Sequence, residues 1–285
     1  MQPTIQYIRQ ELQPFYPKVE IEGFIKLIFS HLKNYSLTDL VLKREEKLDP
    51  EEISAISQIV ERLKLNEPIH YIIGTAEFYG LRLNVNPSVL IPRPETEELV
   101  DWIAKSENSE SSVLDIGTGS GCIALSLKNI FVESSVCGCD VSKDALKVAE
   151  INAALNNLEA GFFMADILQW PAVKWPSKFD LIVSNPPYVT QNEQNSMAVN
   201  VTGYEPHHAL FVSDDDPLKF YSSIVKFASE WLNCNGKLYF EINEMFGKQV
   251  SGLLHSNGFT HVEMKKDLQG KDRMVRGTWP GSEKH

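Results

Sequence analysis

The stretch Asp115-Ile116-Gly117-Thr118-Gly119-Ser120-Gly121 constrains the fold of this chain more than any other. It follows the apolar run Val113 to Ile116 and precedes another, Ile123 to Leu127, so it reads as the turn between a strand and a helix. Its glycines permit a tight turn and let backbone N–H groups approach a ligand at a helix N-terminus. A dinucleotide fingerprint would place its third glycine or alanine at position 122. Cys122 stands there and the glycine comes one place earlier, so the spacing argues against a dinucleotide.

The residues downstream say what else the loop could hold. Asp140 ends a second strand-like run about twenty residues on, where an acid in doubly wound folds accepts hydrogen bonds from ribose hydroxyls. Asp166 ends a third, Phe162 to Met164, and is expected to receive an adenine amino group; Ile167 or Trp170 would wall the ring. Acids at three successive strand ends attract cationic charge and repel phosphate, which suits a sulfonium cofactor better than a pyrophosphate.

A fourth apolar run, Phe179 to Val183, leads into Ser184-Asn185-Pro186-Pro187-Tyr188. An amide nitrogen is a poor nucleophile because its lone pair is delocalised, so an enzyme that alkylates one must hold its N–H groups while aligning the nitrogen. The Asn185 side-chain carbonyl and the Pro186 backbone carbonyl are two such acceptors. Prolines stiffen the turn, and Tyr188 offers a flat face to a planar group. Orientation of this kind contributes up to ~7–11 kcal/mol, enough to carry much of a transfer without a strong base.

Around these motifs the chain has two textures. Val19, Ile21, Phe24, Ile25, Ile28 and Leu32 form one helical stripe, and Ile53, Ile56, Val60 and Leu63 form a second behind an Asp49-Pro50-Glu52 start signal. Phe78 to Leu90 alternates and carries turn formers, as a β-hairpin does. A helix with Leu99, Val100 and Ile103 inward follows Pro92-Arg93-Pro94-Glu95. Beyond Ser111 short apolar strands alternate with helices, and later strands are expected over Lys237 to Ile242, His261 to Met264 and Arg273 to Thr278, the pattern of a mostly parallel α/β sheet. The expected division is a helical domain over 1–76, a hairpin linker over 77–92 and a cofactor-binding domain over 93–285.

Charge and composition narrow the partners. Net charge is −11, and residues 1–80 carry 9 Lys/Arg against 12 Asp/Glu, so neither the whole chain nor its helical module offers the basic field a polyanion needs. No run has the length of a membrane span and no signal peptide is evident, so a cytoplasmic protein is expected, with no membrane partner. The four cysteines lack zinc-site spacing and read as free thiols; Cys137 and Cys139 should share one face of a strand. His207-His208 and the acidic run Asp214 to Asp216 read as solvated or rim residues, and no metal is expected.

Over almost its entire length the sequence resembles the peptide chain release factor glutamine methyltransferases, the HemK family. The resemblance is carried by Pro68-Ile69-His70-Tyr71-Ile72-Ile73-Gly74, Phe78-Tyr79-Gly80, Leu90-Ile91-Pro92-Arg93-Pro94-Glu95-Thr96-Glu97, the 115–121 loop, Asn185 to Tyr188, and Tyr204-Glu205-Pro206 with Ala209-Leu210. It implies an α/β fold, a seven-stranded, doubly wound, Rossmann-like methyltransferase sheet whose last strand is antiparallel, preceded by a small helical bundle that docks the substrate. It implies S-adenosylmethionine as cofactor, S-adenosylhomocysteine as product, and N5-methylation of the Gly-Gly-Gln glutamine of class 1 release factors, a step in translation termination, by a monomer. Asp115, Gly117, Thr118, Gly119, Ser120, Gly121, Asp140, Asp166, Ile167 and Asn185 would then face the cofactor. Asn185, Pro186, Pro187 and Tyr188 would grip the glutamine, and Arg93, Glu95 and Glu97 would organise the mouth of the site.

Two stretches depart from the family pattern: Ser213 to Leu218 replaces a glycine-rich turn, and Glu241-Ile242-Asn243 stands where a glycine usually closes the triplet. Both lie outside the chemical motifs. The alternatives are methylation of another protein glutamine, such as a ribosomal one, and N6-methylation of DNA adenine, which the acidic helical module disfavours.

Overall fold

The computed structural model describes residues 1–107, 111–175 and 177–281, with backbone alone at 195 and 196. Its chain contacts define two units, Met1–Thr75 with Ala198–Tyr204, and Ala76–Met197 with Glu205–His285.

The first unit is helical: α1 Gln2–Leu12, α2 Lys18–Lys33, α3 Leu37–Leu42, α4 Pro50–Lys64 and α5 Ile69–Ile73. Ile8, Leu12, Ile28, Phe29, Val60 and Leu63 are fully enclosed in its core. The start of α4 is fixed by reciprocal bonds, Glu52 N to Asp49 Oδ1 at 2.8 Å and Asp49 N to Glu52 Oε2 at 2.9 Å, a capping box with Pro50 in the first turn. Two residues expected in the stripes are outside the core: Val19 is 86% exposed and Ile53 48%. Each lies in the first turn of its helix, where Cβ points back past the helix end. A late segment also belongs to this unit: α9, Val199–Tyr204, whose Tyr204 hydroxyl donates to the Leu65 carbonyl at 2.8 Å. Six residues carry too little periodicity to reveal that from sequence.

In the second unit β1 Thr75–Phe78 and β2 Leu81–Asn84 form the hairpin, and α6 spans Pro94–Ser106. Then come β3 Ser112–Ile116, α7 Cys122–Ile130, β4 Ser135–Asp140, α8 Lys143–Leu155, β5 Gly161–Met164 and β6 Phe179–Ser184. A two-residue pair, β7 Val189–Thr190 with β8 Phe211–Val212, flanks the short helix α10 His207–Leu210. The chain closes with α11 Lys219–Trp231, β9 Leu232–Glu241, α12 Gly247–Ser256, β10 Thr260–Lys266 and β11 Asp272–Thr278. The main sheet has seven strands in the order β10-β11-β9-β6-β3-β4-β5, parallel except for β11, which is inserted antiparallel between β9 and β10. The last strand of the chain is therefore the antiparallel one, as the resemblance implies.

Alternation along each strand feeds two cores. Leu114, Ile116, Ile182, Leu238 and Phe240 face α11 and α12, while Val113, Leu181, Val183 and Tyr239 face α6 and α7. Cys137 and Cys139 both pack on the first of these faces, as their spacing predicts. Register then places the functional strand ends in one row: Ile116 is opposite both Cys139 and Ser184, and Ser184 is opposite Phe240. The next residues along, Gly117, Asp140, Asn185 and Glu241, thus emerge side by side at the carboxyl edge of the sheet, where open α/β sheets bind ligands.

The glycine loop rests on β4 at Gly138. A Cβ there would lie 2.6 Å from Thr118 Oγ1 and 3.0 Å from the Phe162 ring, so only glycine lets the loop settle onto the strand. Gly138→Ala is expected to destabilise the protein by about 1–3 kcal/mol through this overpacking, read as a lowered denaturation midpoint. A midpoint equal to the wild type would show that the loop yields without cost.

Candidate active site

Beyond the carboxyl edge lies a cavity of ≈ 300 Å³. Its floor is the loop Gly117 to Ser120 with Asp140, one wall is Ala165 to Leu168, and Asn185, Pro186 and Pro187 close the far side. Gly117 and Gly119 have φ of 74° and 53°, and no atom lies within 4 Å of where their Cβ would be, so the loop backbone is open to a ligand. Asp140 joins floor to strand: its Oδ2 accepts from Gly119 N at 3.0 Å and its Oδ1 from Ser142 N at 2.9 Å. Asp166 accepts from Leu168 N at 2.9 Å and from Gln169 Nε2 at 3.0 Å. Of the two candidates for the apolar wall, Ile167 lines the cavity, whereas Trp170 packs edge-on against Phe227 in the core.

Three expected site residues stand elsewhere. Asp115 is wholly buried beneath the loop, where its Oδ2 accepts from Thr118 Oγ1 at 2.7 Å and from Ala124 N at 3.2 Å. It braces the loop and does not line the cavity, because its side chain points into the sheet and not past its edge. Gly121 is the N-cap of α7, pressed toward Ala149 and Leu125, so it shapes the turn. Tyr188 turns away from the cavity: its ring packs against the core and its hydroxyl donates to Glu241 Oε1 at 3.0 Å. Burial pushes that phenol well above its ordinary range, so it stays protonated and a donor.

The proline-rich segment also divides differently from expectation. Arg93 lines the cavity and pairs with the buried Glu205 at 2.5 Å, and Glu205 accepts from Ile91 N as well. Glu95 and Glu97 do not line it; Glu97 instead accepts the Tyr79 amide at 2.6 Å and so holds the hairpin turn. Thr96, passed over between two acids in the sequence, lines the cavity and donates to Glu241 Oε2 at 2.6 Å. His208 and Ala209 line it too. Glu241 is the residue the sequence reading missed most plainly. A carboxylate ending an apolar strand must find donors when buried, and that demand was its signal.

A seven-stranded sheet with one antiparallel insertion, and a site at its carboxyl edge between a glycine loop and Asn-Pro-Pro-Tyr, define the class as methyltransferase. Residues 95–202 match a family model described as methyltransferase small domain, and residues 5–74 one described as PrmC N-terminal domain. A release factor glutamine methyltransferase of Flavobacterium psychrophilum is 44% identical, with 94% of this chain and 95% of that protein covered. One of Bacteroides thetaiotaomicron is 42% identical over 94% of this chain and 96% of its own length. Among solved structures, a methyltransferase from Pyrococcus furiosus shares the fold at 19% identity and a TM-score of 0.54, covering 79% of this chain and all 100% of its own. The chain belongs to the release factor glutamine methyltransferase family.

Burial raises the Asp115 carboxyl to about 7, with the nearby Asp140 charge adding to the rise and the two hydrogen bonds opposing it. A folded-state value above the unfolded one means that the native state holds the proton more tightly. Stability from this group is therefore greatest at low pH and falls as pH rises from about 4 through about 7. Asp115→Asn removes that titration and keeps an acceptor for Thr118 and Ala124. The difference in unfolding free energy between Asp115→Asn and wild type is expected to shift toward the variant by on the order of 2–3 kcal/mol between pH 5 and 8, followed by denaturant titration. A difference that stayed constant over that range would place an ionised carboxylate beneath the loop throughout.

Proposed function

We propose that this protein transfers a methyl group from S-adenosylmethionine to the side-chain nitrogen, N5, of the glutamine in the Gly-Gly-Gln loop of class 1 release factors, in the cytoplasm. The observation that carries the reading is the placement of Asn185 and Pro186 beside the glycine loop in one cavity, in a chain of this family. The cavity suits the cofactor. Asp140 and Asp166 present carboxylates to it, and the charge of its one lining arginine, Arg93, is taken up by Glu205. A cationic, hydroxyl-bearing ligand is favoured there over a phosphate. When bound, S-adenosylmethionine supplies an electrophilic methyl group.

The chain's own residues do the rest. Asp140 is placed to accept from ribose hydroxyls, Asp166 from the adenine amino group, and Ile167 to pack on the adenine face. The Asn185 side-chain oxygen and the Pro186 carbonyl accept the two N–H groups of the substrate amide, which holds its nitrogen toward the floor of the cavity. The apolar wall and prolines exclude water that would compete for those acceptors. The helical domain assigned to residues 1–76 supplies selectivity. A clamp for one terminal amide cannot by itself tell one glutamine from another, so contacts remote from the amide must do so.

Incubation with labelled S-adenosylmethionine and a bacterial class 1 release factor, followed by mass mapping, should place the label on the Gly-Gly-Gln glutamine. Intact factor should be a better substrate than a short Gly-Gly-Gln peptide. Asn185→Ala is expected to slow the single-turnover rate at least about a hundredfold while the protein stays folded. Label found on DNA alone, or a variant with the wild-type rate, would remove the amide clamp. Asp140→Ala should weaken S-adenosylmethionine binding by roughly 1.5–3 kcal/mol, measured by calorimetry, because a charged acceptor is lost; unchanged affinity would take Asp140 out of the cofactor site.

A further inference from the structure

A buried chain of hydrogen bonds runs from the last residue of β9 to the Asn185 side chain. Glu241 is 1% exposed and Thr96 2%. Thr96 Oγ1 lies 2.6 Å from Glu241 Oε2, and Asn185 Nδ2 lies 3.2 Å from the same Thr96 oxygen. The other carboxylate oxygen, Oε1, accepts from the Tyr188 hydroxyl at 3.0 Å.

Two hydroxyls, of Thr96 and Tyr188, converge on the Glu241 carboxylate, and with both donating to it the direction of each further bond in this chain follows. An ionised carboxylate only accepts, and a threonine hydroxyl has one proton to give. With that proton committed to Glu241 over a short charge-assisted contact, Thr96 Oγ1 can only accept from its remaining neighbour. Asn185 must therefore present its NH2 end to Thr96, and its Oδ1 is turned to the cavity. The reversed amide would set Oδ1 against an oxygen with no proton left, or would take that proton and strand a buried carboxylate oxygen without its donor.

Resting on the function proposed above, we infer that Thr96 is a positioning residue: with Glu241 it fixes which end of the Asn185 amide meets the substrate, so that the site offers an acceptor to an amide N–H and repels an acceptor in its place. The pair thereby selects glutamine over glutamate as well as orienting it. Without the relay the Asn185 amide is free to rotate, and its NH2 end would meet the substrate NH2 with donor against donor.

The test compares wild type, Thr96→Val and Thr96→Ser in single-turnover methylation of a bacterial class 1 release factor, with cofactor affinity measured separately. Valine keeps the shape and removes the hydroxyl; serine keeps the hydroxyl and drops the methyl. Thr96→Val should lower the rate about 10- to 100-fold, with KM for the factor and cofactor affinity within about twofold of wild type, and Thr96→Ser should recover to within about threefold. A second readout follows the polarity itself: a release factor carrying Gln→Glu at the target position should inhibit wild type weakly. Its inhibition of Thr96→Val, relative to the unreactive methylated product, should strengthen by about fivefold or more. Thr96→Val at the wild-type rate, Thr96→Ser as slow as Thr96→Val, or unchanged discrimination against glutamate would each overturn the inference. A wild-type protein that left the release factor unlabelled would overturn the proposed function and this inference with it, whereas those variant outcomes beside an active wild type would overturn the inference alone.

Discussion

Parallel pairing of β3 with β6, in the register that sets Ile116 opposite Ser184, is the constraint on which the site depends. It brings the glycine loop and the Asn-Pro-Pro-Tyr turn out of the sheet at one level, though the sequence separates them by more than sixty residues. The Ser184 hydroxyl, donating to the Ile116 carbonyl at 2.7 Å, ties the two strand ends together at the point of exit. A slip of one residue would turn Ile182 from one core to the other and withdraw Asn185 from the cavity at the same time. Packing and chemistry are therefore set by a single choice of register.

Around that row the polar groups work in two tiers. Asp140, Asp166 and Asn185 meet the cavity, while Asp115 lies beneath the glycine loop and Glu241 lies behind Thr96, which lines the cavity and links Glu241 to Asn185. The rear tier is the more deeply buried, and burial raises both the Asp115 and the Glu241 carboxyls. Asp115 is kept in place by donors on the loop and the first turn of α7, and Glu241 by donors on elements distant in sequence. The first turn of α6, the turn after β6 and the end of β9 cannot shift independently without leaving one of these groups unpaired.

Much of the front tier was legible in the sequence because it is built from local turn chemistry. The glycines of the 115–121 loop, the prolines after Asn185 and the acids at strand ends each follow an apolar run that announces its own end. The capping box of α4 was readable for the same reason. The rear tier was not. Thr96 and Glu241 meet across 145 residues, and nothing in the stretches that hold them points to the pairing. The same limit misassigned Tyr188, whose identity suggested a stacking face while its hydroxyl answers to Glu241. It also hid the helix Val199–Tyr204, whose packing partners lie at the other end of the chain.

That helix has a consequence for how such a protein can change over evolutionary time. Because Ala198–Tyr204 is counted with the helical unit while its flanks belong to the sheet, the chain passes between the units three times and not once. The helical unit is thus no cassette that recombination could exchange at a single junction. A donor sequence for residues 1–75 would arrive without the matching strap, and its surface would have to suit a Tyr204 inherited from the other parent. The helical unit and the sheet unit are bound to diverge together, and relatives are expected to differ in both or in neither.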